Sequence, residues 1–246
     1  MAFIKKYRLH YAWVILVAAC VLSIVSRADS ASFAVFIDPL VAQFGWQRGD
    51  ISFAYALAFL AGMPAMVAMG WLGDRYGARK LMIGSSLLIA AGTVLLGTIK
   101  ELWQFYVYYG LFVGSLGNAA FMVLLPVILT RWFNRHMGLA LGIYWAALGA
   151  GAMIFAPLFR WLIDTRGWEW TFTVIGIVLG GILLAFSALI RSSPQEMGLS
   201  AYGVEGSSEE QRIRAASAIA PASLREILTR RPVWLLMGVH HLGCAG

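Results

Sequence analysis

The sequence predicts an all-α polytopic membrane protein with six membrane-spanning helices and the start of a seventh. Three observations predict it. Of 246 residues, 60% are hydrophobic and only 13% charged, with a mean hydropathy of +0.75; an average soluble domain has about 45–50% apolar and about 25% charged residues. The apolar residues gather in long uncharged runs, as needed where roughly 20 residues cross a hydrocarbon core of about 30 Å. Lys and Arg, which give a net charge of +7, fall mostly in alternate gaps between those runs. A soluble enzyme or binding domain is excluded, because a globule of this size cannot hide so much apolar surface. Low polarity excludes disorder, and two cysteines (Cys20 and Cys244) are too few for a disulfide scaffold. No cofactor or metal site is legible. No basic patch interleaved with stacking aromatics points to nucleic acid. The first partner is the lipid bilayer.

The elements follow in order. Span one, residues 11–37, opens after Lys5, Lys6 and Arg8. It imitates a secretion signal, and Val17-Ala-Ala-Cys20 imitates a lipoprotein cleavage box. A signal's apolar region stops after about 7–15 residues, whereas this one resumes past Cys20 and reaches Ile37. Span two is 51–73, closed by a basic loop with Arg75, Arg79 and Lys80. Span three is 81–99, span four 102–130, span five 138–162 and span six 170–190. Residues 1–190 thus form a six-span bundle. A polar connector, 191–230, follows. Ser223-Leu-Arg-Glu226 has capping-box spacing, predicting a short helix whose Leu224, Ile227 and Leu228 lie on the membrane surface. Glu209-Glu-Gln-Arg-Ile-Arg214 matches the E-E-x-x-x-R pattern of some intramembrane proteases, but it lies outside any membrane helix and reads as a solvated charge run. Residues 231–246 begin a seventh span that stops at Gly246.

Sidedness comes from the basic residues. Fourteen Lys and Arg fall in the N-terminal tail, the 2–3 and 4–5 loops and the connector, against four in the alternate loops. Positive charge marks the cytoplasmic side, so the N-terminus is expected in the cytoplasm. An internal repeat adds a second constraint. Trp71-Leu-Gly-Asp74-Arg-Tyr-Gly77 and Trp161-Leu-Ile-Asp164-Thr-Arg-Gly167 both read W-L-x-D-x-x-G, 90 residues apart, at the ends of spans two and five. Three crossings separate them, so the repeat is inverted in the membrane. Inverted repeats are a signature of secondary transporters, whose sites lie near the midplane at the repeat interface.

Gly70-Trp-Leu72-Gly-Asp74-Arg75-Tyr-Gly77-Ala-Arg79-Lys80 resembles the 2–3 loop signature of the major facilitator superfamily, G-x-L-x-D-[RK]-x-G-[RK]-[RK]. Ala78 stands where a basic residue is usual. The resemblance implies an N-terminal bundle of 3+3 inverted repeats. It also implies that Asp74 and Arg75 latch the outward-facing state, with Arg131 as a partner. Glycines at Gly70 and Gly77 let helix ends approach and turn. Simple positive-inside anchoring and a tight turn is the alternative. Three further stretches are similar to the monocarboxylate porter and oxalate–formate antiporter branch: Ser32-Phe-Ala-Val-Phe36, Phe44-Gly-Trp-Gln-Arg-Gly-Asp-Ile-Ser52, and Arg131-Trp-Phe-Asn-Arg-His-Met-Gly138-Leu-Ala-Leu-Gly142-Ile. The usual Lys before the S-x-x-V-F stretch is replaced by Ala31. The protein is expected to be integral to a bacterial inner (plasma) membrane.

Arg27 and Asp29 are the charges clearly within a span, away from its ends. Arg27 lies 16 residues after Tyr11, about 24 Å along a helix. A charge at the bilayer centre costs about 2.5–3.5 kcal/mol on insertion scales, so such groups usually line a cavity. Arg27 is a candidate clamp for a carboxylate, with Asp29 tuning it or carrying a proton; a pair snorkelling at the outer boundary is the alternative. Asn118 in span four and Tyr144 in span five are further substrate-binding candidates, each equally readable as a helix-packing group. The pairs Gly110/Gly114, Gly138/Gly142 and Gly176/Gly180 have the spacing of close helix packing.

Two functions stay open. The first is a secondary transporter of small organic anions working by alternating access, proton-coupled or exchanging. The second is a non-transporting remnant or six-helix accessory scaffold. An enzyme is not expected, because no H-E-x-x-H and no G-x-S-x-G in a span occurs. Alternating access needs two bundles, so the chain reads as part of a longer transporter, or as a half that pairs with a second copy.

Overall fold

The computed structural model of the protein describes residues 10–28 and 33–203. Lys5, Lys6, Arg8, Asp29, the 223–226 capping box and the seventh span lie outside the described residues. The described fold is helical almost throughout. Helix α1 is Tyr11–Ser26, α2 Phe33–Phe44, α3 Arg48–Tyr76 and α4 Ala78–Leu96. Helix α5 runs from Leu102 to Trp132, α6 is Met137–Arg166 and α7 Trp168–Leu189. Spans two to six correspond to α3–α7, all long and apolar enough to cross a membrane. The stretch expected as span one carries α1 and α2. Several helices overrun their apolar cores. α3 reaches three residues beyond both ends of the expected 51–73, and α6 continues to Arg166. Polar residues extend a helix into the headgroup region, where hydropathy no longer marks it.

Two glycines make the shortest connections. Gly77 (φ 87°) ends α3, its N–H donating to the Gly73 carbonyl at 3.0 Å, and also opens α4. Gly167 (φ 82°) does the same between α6 and α7, donating to the Ile163 carbonyl at 2.9 Å. A side chain at this left-handed φ is strained, which is why glycine stands there. The sequence repeat is therefore a repeat of backbone geometry.

Packing obeys the same symmetry. α4 and α7 pack along each other's length. α1 packs on α6 and α7, and α5 packs on α3 and α4. Exchanging spans one to three with four to six leaves this pattern unchanged, so each three-span repeat lends its first helix to the other. Along the α4–α7 seam a Cβ on Gly176 would lie 2.6 Å from a Val94 methyl, and Gly180 abuts Ala90. Ser86 and Ser187 Oγ are hydrogen-bonded there at 3.0 Å. Gly110 and Gly114 likewise admit α3, facing Leu57 and Ala58. Gly138 and Gly142 differ: a Cβ added at either would meet no other helix within 4 Å among the described residues. Within α5, Tyr106–Gly117 is wound as a π-helix. Such winding is rare, and it occurs frequently at functional sites.

Candidate functional site

α1 delivers Arg27. The residue caps the helix C-terminus, its backbone N–H donating to the Val25 carbonyl. A cation is favoured at that end of the helix dipole. Its guanidinium Nη1 comes 4.0 Å from the sulfur of Met122 on α5. None of the ion pairs among the described residues involves it.

α5 delivers Asn118 at the first α-helical turn after the π stretch. Asn118 is 3% exposed, and its Nδ2 donates to the Val113 carbonyl at 3.2 Å. That bond fixes which way the amide faces. The opposite atom, Oδ1, is buried without a hydrogen-bond partner. A buried acceptor left unpaired costs about 1–3 kcal/mol.

Arg27 and Asn118 line one cavity of about 250 Å³ between α1, α3 and α5. The rest of the wall is Met63, Met66, Met122, Tyr55, Phe59 and small residues. Methionines fill irregular space and re-pack around different shapes. The arrangement brings one cation, one amide with an unpaired oxygen and an adaptable apolar wall around one cavity, which suits a small amphiphilic anion. Tyr144 does not line this cavity. It is 1% exposed on α6 and turned toward Ser23, with Arg27 and Cys20 within electrostatic reach. No cluster of three or more metal-ligating side chains occurs among the described residues.

A second arrangement lies at the α3–α4 turn. Asp74 Oδ1 and Arg131 Nη2 are 3.6 Å apart, joining the ends of α3 and α5. Their side chains are 81% and 46% exposed, so the pair contributes at most about 1 kcal/mol. Beneath it, Gly70, Gly73, Val123 and Leu124 line a gap of about 220 Å³. A Cβ at Gly73 would fall 2.6 Å from Leu124 Cδ2, so glycine is what lets the helices meet. Arg75 lies over the rings of Trp71 and Tyr76, at 5.5 and 5.8 Å. Arg79 and Lys80 are exposed at the start of α4, and Ala78 between them and Gly77 is buried.

A sequence model of the Major Facilitator Superfamily matches residues 19–245, most of the chain. The chain belongs to the Major Facilitator Superfamily. It is an integral membrane protein of all-α fold. Similar members include the MFS-type transporter YcxA of Bacillus subtilis (strain 168), 28% identical over 172 residues, or 70% of this chain and 42% of the relative. Monocarboxylate transporter 11 of Mus musculus is 29% identical over 170 residues, 68% of this chain and 37% of its own length. Monocarboxylate transporter 13 of Rattus norvegicus is 26% identical over 181 residues, 74% of this chain and 42% of its own. The matches thus span between 37% and 42% of these superfamily members.

The sequence alone does not single out Tyr55, Phe59 or the methionines of this wall. Met63 and Met66 sit one turn apart on α3, and Met122 meets them from α5. The i, i+3 methionine pair in a span is the only advance signal of that wall. In a superfamily bundle it is hard to tell from lipid-facing apolar residues.

Proposed function

We propose that the chain is the N-terminal bundle of a secondary active transporter for small organic monocarboxylates, working by alternating access. One observation carries the reading: Arg27 and Asn118, whose buried amide oxygen has no hydrogen-bond partner, line a single cavity between apolar helices. Arg27 holds the carboxylate. Asn118 Oδ1 accepts a hydrogen bond from a hydroxyl or protonated group on the substrate. The methionines accommodate its apolar part. Asp29, two residues from Arg27, is the carboxylate available to carry a coupled proton. The Asp74–Arg131 pair latches one access state.

Similarity to two monocarboxylate transporters, of mouse and rat, supports this substrate class. The excess of Lys and Arg in alternate loops supports a cytoplasmic N-terminus. A second bundle, from the same polypeptide or a second copy, completes the site, because alternating access rocks two bundles about it.

The test is uptake of labelled monocarboxylates into vesicles, with and without an imposed pH gradient. Arg27→Ala is expected to raise the apparent KM about 10- to 100-fold, the worth of a hydrogen bond to a charged group. Arg27→Lys is expected to recover part of it, keeping charge but losing the bidentate fork. An unchanged KM in Arg27→Ala would show that the carboxylate binds elsewhere.

A further inference from the structure

The residues after α7 turn back onto the bundle. A single turn at Pro194–Met197, closed by Gly198 at φ 66°, reverses the chain. Tyr202 then runs alongside Phe133 as one parallel bridge. Its main chain is held on both sides. The Tyr202 N–H donates to the Trp132 carbonyl at 2.9 Å, and its carbonyl accepts from the N–H groups of Asn134 and Arg135, each at 3.1 Å. Its ring sits among His10, Trp13 and Phe133, with centroids 5.4–5.8 Å away. From the other side, Trp132 Nε1 donates to the Arg191 carbonyl at 2.9 Å. Gly203, at φ 84°, abuts Arg135 so closely that no Cβ fits.

This strap grips the last turn of α5. The final carbonyls of a helix have no partner within it; here Tyr202 supplies one to Trp132. Trp132 is the residue next to Arg131, whose guanidinium meets Asp74 across the gap. Where the end of α5 stands decides whether that pair forms. The hydrogen bonds are mostly to backbone, so they fix position rather than add charge.

We propose that Tyr202 is a positioning residue for the latch: the strap 191–203 holds the end of α5 so that Arg131 faces Asp74. This rests on the reading of Asp74–Arg131 as a latch between access states.

The test uses the full chain in proteoliposomes, with Cys20→Ser and Cys244→Ser and a reporter Val127→Cys. Val127 lines the gap beneath the pair and is 40% exposed. The readout is its labelling rate by a membrane-impermeant maleimide, with KM and maximal rate of uptake alongside. Asp74→Asn and Tyr202→Ala are each expected to change the labelling rate about two- to fivefold in the same direction, the range an exposed pair supports. The double variant is expected to go no further than the larger single effect, because both act through one contact. Tyr202→Phe is expected to restore the parent rate, and KM is expected to stay constant while the maximal rate changes. If Tyr202→Ala leaves labelling unchanged while Asp74→Asn shifts it, the latch stands and the positioning role is overturned. Effects that multiply in the double variant overturn it too. If Asp74→Asn does nothing, the latch reading falls and takes this inference with it. Should Tyr202→Ala fail to insert, Gly203→Ala carries the same comparison, because its Cβ collides with Arg135.

Discussion

At the residue scale the site turns on what two side chains leave unsatisfied. Arg27 has no ion pair among the described residues, and Asn118 spends its donor on Val113 while its acceptor stays free. An amide fixed in this way offers an acceptor beside a cation, which suits a ligand carrying both an anion and a donor. Asn118→Asp tests the pairing with almost no change of shape. An ionised carboxylate there competes for Arg27, so anion uptake at neutral pH is expected to fall about tenfold or more. The sign with pH follows from the charge. Protonating the new carboxyl removes the competitor, so uptake is expected to recover as pH falls toward the carboxylate range. Uptake by Asn118→Asp vesicles that is flat with pH argues against the two groups sharing a ligand. The sequence shows both polar positions, because a charge or amide inside an apolar run is conspicuous. It does not show that they meet, since 91 residues separate them and only the crossing of α1 and α5 joins them. Tyr144 is equally conspicuous, yet it is buried between α6 and α1, outside the cavity wall.

At the element scale the glycine pairs show how far a pattern reaches. All three pairs have the same spacing, and spacing says that a smooth face exists, not what covers it. Gly176/Gly180 meets α4 and Gly110/Gly114 meets α3, while Gly138/Gly142 meets nothing within 4 Å among the described residues. Gly180→Leu is expected to destabilise the bundle by about 1–3 kcal/mol or more, because the nearest obstacle includes the Ala90 backbone. Gly142→Leu is expected to leave its thermal stability nearly unchanged. Thermal unfolding of both variants in detergent checks the contrast, and equal losses would place an unseen neighbour on Gly142. The helices themselves are legible because a bilayer demands long uncharged runs. Their winding is not: hydropathy is blind to whether Tyr106–Gly117 bonds i to i−4 or i to i−5, so the π stretch ahead of Asn118 leaves no trace in composition.

At the scale of the whole molecule the two repeats match in backbone and differ in chemistry. Gly77 and Gly167 make the same turn, with the same Trp-Leu and Asp ahead of them. The partners of the aspartates differ. Asp74 reaches across to Arg131 on α5 at 3.6 Å, while Asp164 takes Arg160, one turn back in its own helix, at 3.1 Å. The reason is in the sequence of the lent helix. In the second repeat the place of α5 falls to the first span, and α2 at its far end, Phe33–Phe44, contains no Lys or Arg. Its Asp38 pairs instead with Arg48 at the start of α3. An ion pair within one helix moves as a unit and is worth about 0.3–0.5 kcal/mol at most. A pair between two helices biases their relative position. Of the two matched turns, only the one between α3 and α4 therefore has, among the described residues, a charge contact from its aspartate to another helix. Asp74→Asn is expected to change the Val127→Cys labelling rate about two- to fivefold, and Asp164→Asn to leave it within experimental scatter. Raising salt is expected to shrink the first effect, because both side chains are largely exposed and exposed charges are screened within about 10 Å at 0.1 M. Equal responses from the two variants would mean that the aspartates act through the turns they share, and that the inverted repeat is symmetric in mechanism as well as in shape.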